Sequence, residues 1–278
     1  MRYKNEEHIF KENTVGEVLY LSYPLLEHTG IVKHGFSTRL GGVSKGIYSS
    51  MNLSFTQGDS VENVLENYRR MAMAIGVKEE NLVRARQTHT TNVHKVTTEN
   101  KNEELQDVDG LITDVPGICL TTTYADCVPL YFVDPVHKAI GLSHSGWRGT
   151  VGKMGRETLR RMKEEYGTKA EDVVAAIGPS ICQECYEVSE DVIAKFKEAF
   201  DEIYWKDLFY QKENQKEIKK YQLNLWKANE IILLEAGVLK EHIAVTNVCT
   251  NCNSDVLFSH RASKGKRGAL AAFLALSE

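Results

Sequence analysis

The chain has 278 residues, enough for one large domain or two small ones, and its 42% hydrophobic and 26% charged residues match an ordinary globular protein. A formal net charge of -4, from 34 Lys plus Arg against 38 Asp plus Glu, argues against nucleic acid or an anionic membrane as the principal partner. No apolar run approaches the ~20 residues needed to span a bilayer, and residues 1–7 hold no apolar signal core, so a cytoplasmic location is expected.

Residues 1–30 mix short apolar runs with charge and are expected to form a peripheral segment, with a hairpin before Leu26. His34 to Arg39 reads as a strand running into the Gly41-Gly42 turn. Ser60 then caps an amphipathic helix whose apolar stripe is Val61, Val64, Leu65, Tyr68, Ala72 and Ile75, with Gly76 as its stop. Strands are predicted over 117–123, 130–133 and 138–143. The third runs into His144-Ser145-Gly146-Trp147-Arg148-Gly149 and a helix marked by Met154, Leu159, Met162 and Tyr166. A strand over 172–177 ends at Gly178-Pro179, and Val192, Ile193, Phe196, Ala199 and Phe200 mark another helix. Residues 201–220 are charged and aromatic without a clean period and read as a surface segment. Leu225, Asn229, Ile232, Leu233 and Ala236 form a last helix stopped by Gly237, followed by strands over 243–248 and 267–276. With no repeat, low-complexity tract or linker, the expectation is a mixed α/β fold in a single domain over 1–278.

Six cysteines without a signal segment favour metal or catalytic roles over disulfides. Cys182/Cys185 and Cys249/Cys252 have CxxC spacing, but about 60 residues separate the pairs, against ~15–20 in a compact zinc ribbon. These four are therefore expected to be free or partly buried thiols.

Three other segments offer one soft ligand each beside glycine or an acid: Gln87-Thr88-His89, Ala125-Asp126-Cys127 and the stretch from His144 to Gly149. Two imidazoles and a thiolate suit zinc or copper, and three protein ligands leave a position for water or substrate. The Cys127 and His144 segments lie just after predicted strands, where open sites are assembled. Asp126 can neutralise charge or move protons, and the Gln87 amide can orient a water or ligand. Against this, a lone histidine after a strand is commonly a hydrogen-bonded residue, a free cysteine a small buried hydrophobe, and His34, His94, His137, His242 and His260 compete for the role. Arg39 and Arg148 sit in glycine-rich turns, where a guanidinium can reach phosphate or carboxylate; an ordinary surface arginine fits equally. No P-loop, GxGxxG, HExxH or GxSxG motif occurs.

Taken in order, the HGFSTRLGGVS segment from His34, the Asn52-Leu53 region, QTH from Gln87, DGLIT from Asp109, TTTYADCVP from Thr121, HSGWRG from His144, IGPSI and CYEV from Ile177, and CTNC and LFSHR from Cys249 resemble the YfiH/YlmD-type family. That family is also described as multicopper polyphenol oxidase (laccase-like) or purine nucleoside phosphorylase, and the resemblance is strongest to its bacterial YlmD branch. It implies an αββα-layered sandwich and a metal site of two histidines and a cysteine, mapping onto His89, Cys127 and His144. It further implies phosphorolysis of adenosine, inosine, guanosine and methylthioadenosine, and deamination of adenosine. The partners would be purine nucleosides and phosphate. Ser145, Thr90, His260 and Ser263 depart from the common pattern and leave the three ligands intact.

Three chemistries follow as expectations. In a zinc-dependent nucleoside enzyme, Arg39, Arg148 and Gln87 would bind substrate or phosphate while Asp126, Cys127 and Arg148 serve catalysis. Copper-dependent phenol oxidation fits poorly, since nine histidines without an HxH pair do not supply a multicopper cluster, although a His/Cys set can bind copper. A cysteine hydrolase would use Cys127 as nucleophile and His144 as base.

Overall fold

The computed structural model describes residues 1–212 and 219–277. Two large sheets pack face to face, each covered outside by helices. One sheet has seven strands in the order Lys11–Val15, Val18–Ser22, Val32–Ser37, Leu270–Leu276, Cys119–Tyr124, Leu82–Arg86, Leu105–Gln106. The other has six, in the order Ile243–Val245, Val174–Ile177, Val128–Asp134, Ala139–Ser145, Gly110–Thr113, Val93–Lys95. A small sheet of Glu187–Ser189, Lys220–Leu223 and Phe209–Gln211 lies apart from both.

The two-residue period of a strand builds these layers. Along Leu270–Leu276, Leu270, Ala272, Leu274 and Leu276 enter the core between the sheets. Ala271, Phe273 and Ala275 face the other way, against the Val61–Ile75 helix. Along Val128–Asp134, Tyr131 and Val133 point to the inter-sheet core while Val128, Leu130 and Phe132 meet the outer helices. Every position of both strands is buried, which is why they read as continuous apolar runs rather than alternating ones. The result is the αββα sandwich expected from the resemblance.

The Val61–Ile75 helix starts where the Ser60 side chain accepts the Asn63 N–H and stops at Gly76, whose φ of 72° is left-handed. Two residues of its predicted stripe do not face the core: Val61 and Leu65 are exposed, and Met71 is buried instead. A helical stripe read from sequence includes flanking positions that the flat sheet cannot reach. The described part of 201–220 lies at the surface as expected, with Leu208 buried, but it carries short elements. Residues 202–204 form a 3-10 turn, Trp205–Leu208 a short helix, and Phe209–Gln211 and Lys220–Leu223 two paired strands; 213–218 lie outside the described residues. No described helix is long and apolar enough to cross a membrane.

Phe273 is fully buried beside Tyr68, ring to ring at 6.2 Å. Phe273→Ala is expected to destabilise the protein by ~3–5 kcal/mol, measured as a lower denaturant midpoint with unchanged slope. A loss under about 1 kcal/mol would contradict this account of the central strand.

Candidate metal centre

The site forms where the chain passes from one sheet to the other. The Leu82–Arg86 strand of the first sheet leads through Gln87-Thr88-His89 into Val93–Lys95 of the second. Leu105–Gln106 leads through Asp109 into Gly110–Thr113, and Cys119–Tyr124 leads through Ala125-Asp126-Cys127 into Val128–Asp134. Leu82–Arg86 and Cys119–Tyr124 are parallel neighbours, so the His89 and Cys127 segments leave the first sheet side by side. In the second sheet Ser143 pairs with Gly110, and His144 with Pro129, placing His144 beside both Asp109 and Cys127. Register, rather than local sequence, assembles the centre.

One ligand atom from each of His89, Cys127 and His144 lies within 4.8 Å of the others. Cys127 Sγ is 3.9 Å from His89 Nε2, and the two imidazoles meet edge to face with centroids 4.9 Å apart. Gly146 makes this approach possible: a Cβ there would stand 3.0 Å from both Cys127 Sγ and His89 Cδ2. Behind it, buried Ser145, Thr150 and Asn229 hydrogen-bond to one another and fix the turn after His144.

Asp109 organises the centre, and the sequence reading did not single it out. One of its carboxylate oxygens is 2.8 Å from His144 Nδ1 and accepts the His89 N–H at 3.1 Å. The other accepts the N–H groups of Thr88 and Thr90, at 3.1 and 2.8 Å, and the Thr90 hydroxyl at 3.0 Å. Burial opposes its charge, but these donors, His144 foremost, hold its carboxyl down at about 2. Anchoring Nδ1 leaves His144 Nε2 for the metal. Burial alone would raise the Cys127 thiol; His144 and then His89 outweigh it and bring it down to about 6. His144 is correspondingly raised, against burial, to about 9 by Cys127 and Asp109. The donor set therefore fits a soft divalent metal: a thiolate, two imidazoles, one of them oriented by a carboxylate, and, among the described residues, no fourth protein ligand.

The other candidates are placed as follows. Gln87 clamps the first sheet: its Oε1 accepts from Thr123 N–H at 2.7 Å and its Nε2 donates to Thr123 O at 3.0 Å. Asp126, at a left-handed φ of 87°, is buried and accepts from the Thr250 hydroxyl at 2.6 Å and the Arg261 N–H at 2.7 Å. Arg39 donates to the carbonyls of Ser49 and Ser254 and lies over Phe258. Arg148 is exposed, its guanidinium over Trp147 at 4.3 Å. Arg267 was not foreseen: its Nε is buried without a partner, and its charge feels Asp126 and Cys127. Tyr186 also lies within electrostatic reach of Cys127 and Arg148. Of the competing histidines, His34 is buried and accepts the Tyr23 N–H, while His94 and His137 pair with Asn100 and Asp134. Two surface cavities, of about 240 Å³ beside Trp226 and about 340 Å³ beside Tyr68, have none of the three ligands in their walls.

The profile of the family described as multi-copper polyphenol oxidoreductase laccase matches residues 33–277. The chain belongs to this YfiH/YlmD family. It is 38% identical to a purine nucleoside phosphorylase of Bacteroides thetaiotaomicron, over 90% of this chain and 93% of the relative. It is 34% identical to purine nucleoside phosphorylase YlmD of Bacillus subtilis, over 88% of each. It is also 34% identical to adenosine deaminase RL5 of an unknown prokaryotic organism, over 81% of this chain and 87% of that one. Among solved structures, YlmD from Geobacillus stearothermophilus superposes with a TM-score of 0.87 at 32% identity, over 97% of this chain and 99% of that one. Bacillus licheniformis YfiH superposes with a TM-score of 0.88 at 30% identity, over 98% and 100%.

Two outcomes follow from this geometry. Asp109→Asn is expected to weaken zinc binding ~10–100-fold in chelator competition; unchanged affinity would remove Asp109 from the centre. In metal-free protein the thiolate is the reactive form, so a lowered pKa means that Cys127 alkylation rises with pH through a midpoint near 6, not 9. His144→Ala should move that midpoint upward, because burial then acts with less opposition. Mass spectrometry of the Cys127 peptide against pH checks both.

Proposed function

We propose that the chain is a zinc-dependent purine nucleoside enzyme. It would cleave adenosine, inosine, guanosine and methylthioadenosine with phosphate to the base and ribose 1-phosphate (or its methylthio counterpart), and would also deaminate adenosine. The observation that carries this reading is the convergence of His89, Cys127 and His144 on one another, with Asp109 holding the two histidines, in a three-ligand centre with an open side. Relatives over nearly the whole chain bear the names of both activities. His89, Cys127 and His144 would hold the metal, which supplies Lewis acidity when bound.

The protein's own groups account for binding and orientation. Arg148 and Arg267 have guanidinium donors to offer phosphate: Arg148 projects from the turn after His144, and Arg267, which donates from Nη1 to the Gly268 carbonyl, keeps a buried Nε with no partner. Arg39 is committed to two backbone carbonyls, so its side chain anchors the 39–50 loop instead. Asp126 has both carboxylate oxygens engaged, which favours a positioning role beside Cys127 over proton transfer. Gln87 acts likewise through Thr123. Tyr186 stays protonated because burial, then the nearby Cys127, pushes its hydroxyl up, leaving a neutral donor on this face for the substrate.

A second reading has its own support. Cys127, His144 and Asp109 also stand in the order of a nucleophilic cysteine, a base and an orienting acid. His89 is the residue that this reading leaves idle. For a multicopper oxidase, the described residues contain no second histidine cluster; the other grouping of ligands is made of cysteines.

Purified zinc-loaded protein is expected to release hypoxanthine from inosine only when phosphate is present, and to form inosine from adenosine, both followed by chromatography. Arg267→Gln should raise the KM for phosphate roughly tenfold, the size of one lost charge-assisted hydrogen bond of ~1.5 kcal/mol, with a smaller effect on deamination. Absence of both products rejects the nucleoside reading. Full activity after zinc removal, with His89→Ala active and Cys127→Ala dead, selects the cysteine nucleophile.

A further inference from the structure

Cys182, Cys185, Cys249 and Cys252 play no part in the centre just described, and the sequence spacing argued against their meeting. In the structure they do meet: their four sulfurs all lie within 4.8 Å of one another. The cause is parallel pairing. Val174–Ile177 and Ile243–Val245 run side by side, and a further parallel bridge joins Ser180 to Cys249. Each strand therefore delivers its CxxC turn to the same end of the sheet. The intervening residues form the helices and small sheet that cover the outer face, so chain length between the pairs is no measure of their distance.

The spacing discriminates between kinds of site. A disulfide needs ~2.05 Å between sulfurs, whereas Cys185 and Cys252 Sγ are 3.5 Å apart and all six cysteines are free. Four sulfurs each ~2.3 Å from one zinc at the corners of a tetrahedron are about 3.8 Å apart, which is the scale observed. An iron–sulfur cluster requires its cysteines to stand apart by the width of the cluster core.

The surroundings suit thiolates. Cys249 Sγ accepts the N–H groups of Cys182 and Cys252 at 3.3 and 3.4 Å, and Cys185 Sγ accepts from Asn251 Nδ2 at 3.2 Å. Donors aimed at sulfur stabilise its anionic form and orient it. The Lys4 ammonium interacts with Cys182 and Glu184, offsetting negative charge. Cys182 and Cys249 are buried against Ile181 and Trp226, while Cys185 and Cys252 are partly exposed and give an ion a way in.

We propose that these four cysteines bind one zinc ion as a closed tetrathiolate, a second metal site separate from the His89–Cys127–His144 centre. Its role is structural, since four protein sulfurs leave no position for substrate. It staples the turn after Val174–Ile177 to the turn after Ile243–Val245. Both turns hold Asp126, through the Ile181 N–H to the Asp126 carbonyl at 3.0 Å and the Thr250 hydroxyl to its carboxylate at 2.6 Å. The zinc thus braces the residue next to Cys127 from two sides.

The test is metal and thiol counting on the full-length protein, purified with zinc and without chelator, in wild-type form and as His89→Ala/His144→Ala. Two zinc ions per chain are expected in the wild type and one in the double variant. The retained ion should shield Cys182, Cys185, Cys249 and Cys252 from N-ethylmaleimide until a mercurial displaces it. Cobalt substituted for it should show the strong visible absorption of tetrahedral sulfur coordination. Cys185→Ser/Cys252→Ser should lose this zinc while keeping the other. One zinc per chain in the wild type, with the four thiols freely alkylated in the folded protein or joined as disulfides, overturns the proposal. The wild-type count and thiol protection decide the matter even where a variant fails to fold.

Discussion

A single buried carboxylate, that of Asp109, holds the candidate metal centre in shape. It accepts three consecutive backbone N–H groups from residues 88–90 and contacts the His144 ring, joining a loop that leaves one sheet to a strand of the other. These N–H groups and the Thr90 hydroxyl all end on one carboxylate, so their satisfaction and the ligand geometry are one arrangement. A buried anion with this many donors is held firmly, whereas one short of a partner would be costly. The inter-sheet core sets the separation of the layers, and Asp109 converts that separation into the distance between His89 and His144.

Much of the fold was legible because burial on both faces leaves a plain mark. Continuous apolar stretches at 128–134, 139–145 and 270–276, and a helix bounded by Ser60 and Gly76, need no tertiary knowledge to be recognised. Val93–Lys95 and Leu105–Gln106 escaped because three and two residues cannot display a period. Leu82–Arg86 escaped because its two arginines conceal a parallel pairing. At the site, ligand chemistry pointed to His89, Cys127 and His144, but nothing local marks Asp109. An Asp-Gly before a strand ordinarily signals a turn, and its function here exists only in the register of Gly110–Thr113 against Ala139–Ser145. Arg267 was hidden too, because it reads only as the first residue of the strand predicted over 267–276.

The treatment of the cysteines shows where sequence distance misleads. In antiparallel neighbours joined by short turns, proximity along the chain tracks proximity in space. In parallel neighbours the connection must travel the length of the sheet and return, so residues far apart in sequence share one sheet end. The His89–Cys127 pair and the two CxxC turns both arise this way, from different parallel pairs in different sheets. Asp126 lies between them, with its side chain and backbone tied to the cysteine-bearing turns and its chain neighbour Cys127 in the candidate metal centre.

The position of Leu270–Leu276 has a bearing on how the protein is born. This strand sits between Val32–Ser37 and Cys119–Tyr124 and fills the core on both faces, yet it is synthesised after both of those partners. Until it is made, the two halves of the seven-stranded sheet present open edges and uncovered apolar faces. Strands that wait for a distant partner are slow to pair and prone to pair wrongly. The seven-stranded sheet therefore closes last at its middle, and its two halves stay separate until this one strand fills the gap between them.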